Sequence, residues 1–179
     1  MKARRQRERM PETASAAKRD TPVPSDQALL DERLVCLGLR ASDNCEVMHV
    51  LADLLYAYGA VKAEYGDKVC EREGKYPTGL PTAGVYAAIP HADAEWVNFT
   101  AIAVATLDPP VTFANMGDPA EKLPVEIVIM LAIADASKQV QMLQQVAQVL
   151  SNEPMLCALK SANAASQVVQ TLREHIGPG

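Results

Sequence analysis

Aromatic side chains are scarce in this chain, at 4% of its 179 residues. With so few π-faces, a stacking surface for nucleic-acid bases is not expected. The core must therefore be built from Ala, Val, Leu, Ile and Met. The motifs of nucleotide binding are missing too, since neither G-x-x-x-x-G-K-[ST] nor G-x-G-x-x-G occurs. No G-x-S-x-G marks a serine hydrolase and no H-E-x-x-H marks a metalloprotease. The four cysteines, Cys36, Cys45, Cys70 and Cys157, form no C-x-x-C pair. Their spacing matches no zinc-ligand pattern, so free thiols serving as core filler are expected, with no metal and no cofactor. No apolar run reaches the roughly 20 residues that cross a bilayer. The longest, Val125 to Ala134, is about half that and reads as a buried strand. The N-terminus is basic but no signal-peptide core follows it. A cytoplasmic protein without membrane insertion is expected.

Charge is unevenly spread. Residues 1–20 hold seven basic and three acidic side chains, so the balance of the net −5 is a body at −9. An acidic body argues against nucleic-acid binding, which needs clustered Lys and Arg. Residues 1–26 combine charge with Pro11, Pro22 and Pro24 and show no apolar period. They are expected to form a disordered tail ahead of one domain over 27–179.

Within that domain, 34–39 reads as a first strand. Ser42-Asp43-Asn44 then offers caps for a helix whose buried face is Val47, Val50, Leu51, Leu54, Leu55 and Tyr58, ended by Gly59. A second helix fits 62–73, with Tyr65, Val69 and Cys70 inward and Gly74 and Pro77 closing it. Residues 84–90 look like a strand up to Pro90. Strands are expected over 98–106 and 125–134, the second nearly continuous in apolar residues and so central to a sheet. Asp108-Pro109-Pro110 and Met116-Gly117-Asp118-Pro119 read as turns. Ser137 can cap a helix over 138–150, and short helices follow near 154–159 and 164–176. The fold class is α/β, a single layered domain whose mixed sheet is covered by helices.

Three histidines are candidates for group transfer at neutral pH: His49, His91 and His175. His49 lies mid-helix and reads as a surface residue. His175 falls in the last helical turn, where a cation meets the helix dipole favourably. His91 follows Pro90 at the mouth of a strand, where a stiff backbone aims its side chain. On that ground alone, structural and functional readings of His91 both stay open.

The segments Tyr76-Pro77-Thr78-Gly79-Leu80 and Ala87-Ala88-Ile89-Pro90-His91-Ala92 change this balance. They resemble the active-site region of enzyme IIA domains of the sugar phosphotransferase system (PTS), type 2, the fructose/mannitol/galactitol class. A second block in register is similar as well: Val111-Thr112-Phe113, Met116-Gly117-Asp118, then the apolar strand from Val125. The likeness spans about Leu29 to Ile176 and is closest to the galactitol type.

The resemblance implies that His91 is the phosphoryl acceptor, forming a tele-phosphohistidine intermediate. The donor would be the phosphocarrier protein HPr. The acceptor would be a cysteine of enzyme IIB, which feeds the membrane enzyme IIC. Arg72 stands where the family has an arginine near the histidine; read without the family it is a solvated helix-end charge beside Glu71 and Glu73. Gln139 stands where many members have a second histidine. Thr78 and Gly79 would approach the phosphate. A forked guanidinium suits the equatorial oxygens of a moving phosphoryl group, and Gln139 near a helix N-terminus could donate to them. Leu80, Ile89 and Ala92 are the expected apolar rim of a shallow, exposed site. A regulatory module of the same family, whose phosphorylation controls a partner, is the alternative reading.

Overall fold

The computed structural model describes residues 29–177, so the expected tail over 1–26 lies outside the described residues. One five-stranded sheet organises the chain, in the order β1-β4-β5-β3-β2. The strands are β1 (Val35–Leu39), β2 (Gly79–Leu80), β3 (Ala87–Ala88), β4 (Ala101–Ala114) and β5 (Lys122–Ala132). Helices α1 (Asn44–Tyr58) and α2 (Tyr65–Lys75) cover one face. Helices α3 (Gln139–Leu150), α4 (Glu153–Ser161) and α5 (Ala165–Arg173) cover the other. The sheet is mixed. β1 runs parallel to β4 and β3 parallel to β5, whereas β4–β5 and β2–β3 are antiparallel. This is the expected α/β class.

The period-2 alternation of β4 and β5 explains how two helical layers pack on one sheet. Ala101, Ala103 and Ala105 of β4 face α1 and α2, together with Val128, Met130 and Ala132 of β5. Ile102 and Val104, with Ile127, Ile129 and Leu131, face α3 to α5. Three alanines on the first side leave room there for the large ring of Tyr65, which is fully buried. Its hydroxyl donates to the Leu131 carbonyl at 2.8 Å, and burial pushes its pKa up.

Helix ends follow local chemistry. Asp43 caps α1, its carboxylate accepting the Glu46 amide at 2.9 Å. Glu46 reaches back to the Ser42 amide, closing a reciprocal cap. Gly59 ends α1 with φ at 87°, a left-handed conformation that glycine adopts without a Cβ penalty.

Several expectations change. Asp108-Pro109-Pro110 is not a turn but an exposed irregularity inside β4, where the register with β5 shifts between Thr106 and Val111. Proline is tolerated there because a bulge leaves ladder positions unpaired. The hairpin connection is 115–121, which holds the other expected turn, and the Glu121 amide donates to the Asp118 carbonyl there at 2.9 Å. Gly74 does not close α2, which runs on to Lys75. Ser137 does not cap α3; it lies in a short 3-10 turn capped by Asp135, and α3 begins after it. The strand expected over 84–90 is reduced to Ala87–Ala88. The cysteines are not all free, since Cys45 of α1 and Cys70 of α2 are joined as a disulfide, leaving Cys36 and Cys157 as thiols. Among the described residues, no helix is long and apolar enough to cross a membrane.

Replacing Tyr65 by Phe strands the Leu131 carbonyl in the core. Urea unfolding is expected to show a loss of about 1–3 kcal/mol; an unchanged midpoint would mean that this bond contributes nothing net.

Candidate active site

Four segments converge at one end of the sheet. After Ala88 the chain turns at Ile89-Pro90 and rejoins β5, with the Leu131 amide donating to the Pro90 carbonyl at 3.1 Å and His91 bridging Leu131. Proline has no N–H to offer the ladder, so regular pairing stops there and His91 is set at the sheet's end. Its ring is buried, with 8% of the residue exposed. This departs from the shallow, open site expected from sequence.

The ring is fixed from both sides. Nδ1 lies 2.9 Å from the Ile89 carbonyl, and an N–H must sit on Nδ1 to satisfy that oxygen. Nε2 is then the nitrogen with the lone pair. It faces Arg72 Nη2 at 3.4 Å. Burial is the main cause of a pKa held below the ordinary 6.5, and the Arg72 charge lowers it further, against the Ile89 bond and Asp93, which raise it. The structure thus favours a neutral imidazole with its lone pair on Nε2.

Arg72 lies in the last turn of α2. Asp93 Oδ1 sits 3.3 Å from its Nη1, and Tyr76 lies against the guanidinium, 5.7 Å from ring centre to Cζ. Its Nε is buried and has no hydrogen-bond partner among the described residues. An unpaired charged donor in a buried place is costly, and an anion beside His91 would relieve that cost. Imidazole and guanidinium together form a set that takes anions rather than cations. A groove of about 270 Å³ opens next to them, lined by Lys68, Arg72, Lys75, Tyr76, Asp93 and Trp96 among others.

Thr78 and Gly79 are brought to the site, in roles that differ from those the resemblance suggested. The Thr78 side chain is turned inward, its hydroxyl donating to Glu73 Oε2 at 2.7 Å and its amide to Oε1 at 2.9 Å. The hydroxyl proton is therefore engaged with Glu73. The Thr78 carbonyl in turn accepts the Ile89 amide at 3.3 Å. At Gly79 a Cβ would come within 2.5 Å of the Ala114 carbonyl oxygen. What demands glycine there is the close passage of β4. Gln139 starts α3, partly exposed, and no hydrogen bond joins it to His91 or Arg72.

Glu73 is the residue that sequence reasoning missed. It is 4% exposed and its pKa is raised by burial, against the opposing pull of the Thr78 bonds. A signal was present: Tyr65, Val69 and Glu73 recur every four residues, so all three share the inward face of α2. The rim also differs. Ile89 and Ala92 are buried, whereas Tyr76 and Met116 are the large apolar side chains exposed nearby, Met116 donating its amide to the Gly79 carbonyl.

Two outcomes follow. In ¹⁵N NMR, the His91 ring should titrate with a midpoint below 6.5 and show the Nδ1–H tautomer in its neutral form; a midpoint above that value would contradict the burial argument. Gly79→Ala should destabilise the fold, because the Ala114 carbonyl oxygen in its way is backbone and cannot swing away. A wild-type melting temperature for that variant would show that the β4 approach is looser than the geometry states.

Comparison with known proteins places the chain among similar sequences and folds. The family model described as "Phosphoenolpyruvate-dependent sugar phosphotransferase system, EIIA 2" matches residues 28–175. The 2-O-alpha-mannosyl-D-glycerate-specific EIIABC component of the PTS of Escherichia coli is 27% identical over 148 residues, 80% of this chain and 22% of that protein. The transcriptional regulator ManR of Bacillus subtilis is 35% identical over 100 residues, 56% of this chain and 14% of that protein. The chain therefore spans a quarter or less of the length of these relatives. Among solved structures, the complex of mannitol enzyme IIA with phosphorylated enzyme IIB from Escherichia coli matches with a TM-score of 0.68 at 22% identity, over 81% of this chain and 97% of that one.

Proposed function

The chain belongs to the EIIA 2 family of the phosphoenolpyruvate-dependent sugar phosphotransferase system, and on that premise we propose that it carries a phosphoryl group on His91 Nε2. The donor is the phosphohistidine of HPr and the acceptor is a cysteine of an enzyme IIB, through which the group reaches a membrane enzyme IIC. The observation that carries this reading is the placement of Arg72 Nη2 at 3.4 Å from Nε2 while Nδ1 is held by the Ile89 carbonyl.

The Nε2 lone pair attacks phosphorus as the P–N bond to the donor ring breaks, and that bond's electron pair returns to the donor imidazole. The proton on Nδ1 stays against the Ile89 carbonyl, which stabilises the positive charge that phosphorylation puts on the ring. Arg72 meets the equatorial oxygens with Nη2 and its otherwise unpartnered Nε. Such transfer depends chiefly on alignment and charge stabilisation. The IIB thiolate then attacks the same phosphorus and His91 leaves with its electron pair. Glu73 and Thr78 act as positioning residues, and Gln139 at the start of α3 is the further donor toward the phosphoryl oxygens. Exposed Tyr76 and Met116 offer an apolar rim on which donor and acceptor dock in turn. The solved mannitol IIA–IIB complex supports an enzyme IIB as the acceptor. A carrier meeting these partners works in the cytoplasm. The galactitol-type form of Tyr76–Leu80 makes galactitol or a related polyol the first substrate to try.

The test is intact-mass measurement at neutral pH after incubation with phosphoenolpyruvate, enzyme I and HPr. Wild type should gain one acid-labile phosphoryl group and His91→Ala none. Arg72→Ala should slow the gain about 100-fold, the scale of losing one aimed transition-state donor. A folded wild type that gains nothing sinks the reading. The likeness to ManR favours a second reading, in which phospho-His91 regulates a partner. Transfer from HPr without onward transfer to any IIB would select it.

A further inference from the structure

Cys45, His49 and Cys70 come together where α1 meets α2. Cys45 and His49 stand one turn apart on α1, and Cys70 faces them from α2. One ligand atom from each lies within 4.8 Å of the other two, and all three residues are partly exposed. Spacing along the sequence hides this set, because the third donor comes from another helix. We propose that, in the reduced chain, Cys45, Cys70 and His49 bind a thiophilic divalent cation of the zinc type, and that this state and the Cys45–Cys70 disulfide exclude one another. The inference rests on these residues and not on the phosphoryl-transfer reading.

Three features support it. Two thiolates and an imidazole are the donor set that tetrahedral zinc prefers, with a fourth position left to water. The backbone is already in place: the Cys45 and Cys70 Cα atoms are 5.6 Å apart. A zinc ion bound at about 2.3 Å to each sulfur needs them about 3.8 Å from one another, which side-chain rotation supplies. The ring of His49 is seated by its surroundings. A Cβ at Gly66 would come within 2.7 Å of His49 Nδ1, so glycine at 66 makes the space the ring occupies. Asp67 Oδ1 stands 3.6 Å from His49 Nε2, a carboxylate beside the place where a cation would sit. Partial exposure gives a cation its way in.

The chemistry balances with a dithiol as reductant. Thiol–disulfide exchange breaks the Cys45–Cys70 bond, the two electrons and two protons come from the dithiol, and the dithiol becomes a cyclic disulfide. Cation binding then displaces the two thiol protons, giving two metal–sulfur bonds. Either cross-link ties α1 to α2, the helix on which Arg72 and Glu73 follow Cys70 by two and three residues. Removing both should loosen that helix.

The full chain, reduced by a phosphine under anaerobic conditions, is titrated with Co²⁺ as the probe and then with Zn²⁺. One Co²⁺ per chain is expected, with a thiolate-to-cobalt band in the near ultraviolet and tetrahedral bands in the visible, both erased by one equivalent of Zn²⁺. Cys45→Ser and Cys70→Ser should each abolish the charge-transfer band or halve it with at least 100-fold weaker binding. His49→Ala should weaken binding at least tenfold. The oxidised wild type, folded and lacking both thiols, is the control that no folding defect confuses, and it should bind none. Equal binding by oxidised and reduced chains, binding unaffected by Cys70→Ser or His49→Ala, or no binding by the reduced chain would each overturn the proposal.

Discussion

The site depends on one buried pairing, the Glu73 carboxylate with the amide and hydroxyl of Thr78. A carboxylate taken from water needs such donors or it loses its charge. Satisfying it ties the loop after α2 back onto α2. The contacts then run in a closed circuit. Thr78 holds the Ile89 amide, the Ile89 carbonyl holds His91 Nδ1, and His91 Nε2 faces Arg72, the residue next to Glu73 in the chain. Each member limits the freedom of the next. The imidazole, its tautomer and its charged neighbour are thereby set in advance, which is what the proposed phosphoryl transfer, a reaction governed by alignment, would require.

The sheet supplies the platform for that circuit. β5 is covered on both faces and paired on both edges, and His91 is fastened to it at Leu131. Tyr65 reaches from α2 to the carbonyl of the same Leu131. The helix carrying Arg72 and the strand end carrying His91 are thus registered to one residue. Their mutual distance is a property of the core rather than of a loop.

Much of this was legible in the sequence where the signal was periodic or local. The amphipathic spacing of α1, a cap among Ser42-Asp43-Asn44, the Gly59 stop and the continuous apolar run of β5 all fixed their elements, because burial and capping act over a few residues. The prolines at 109 and 110 misled, since a bulge and a turn share the same residue chemistry and only the partner strand tells them apart. Glu73 went unread because a charged residue on an inward face looks like solvated surface until its partners are seen. Gly79 and Thr78 were recognised as special, but the reason lay in the strand and carboxylate they approach, which are remote in sequence. The convergence of Cys45 with Cys70 was invisible for the same reason, as it depends on how two helices cross.

The outer strands carry a separate consequence. β1 has five residues and an irregular register at Gly38, whose amide bonds the Thr106 hydroxyl, and β2 has only two. Long flat sheet margins recruit other chains through their unpaired backbone groups. Here both margins are short and one is kinked, so the sheet offers little template for growth into fibrils.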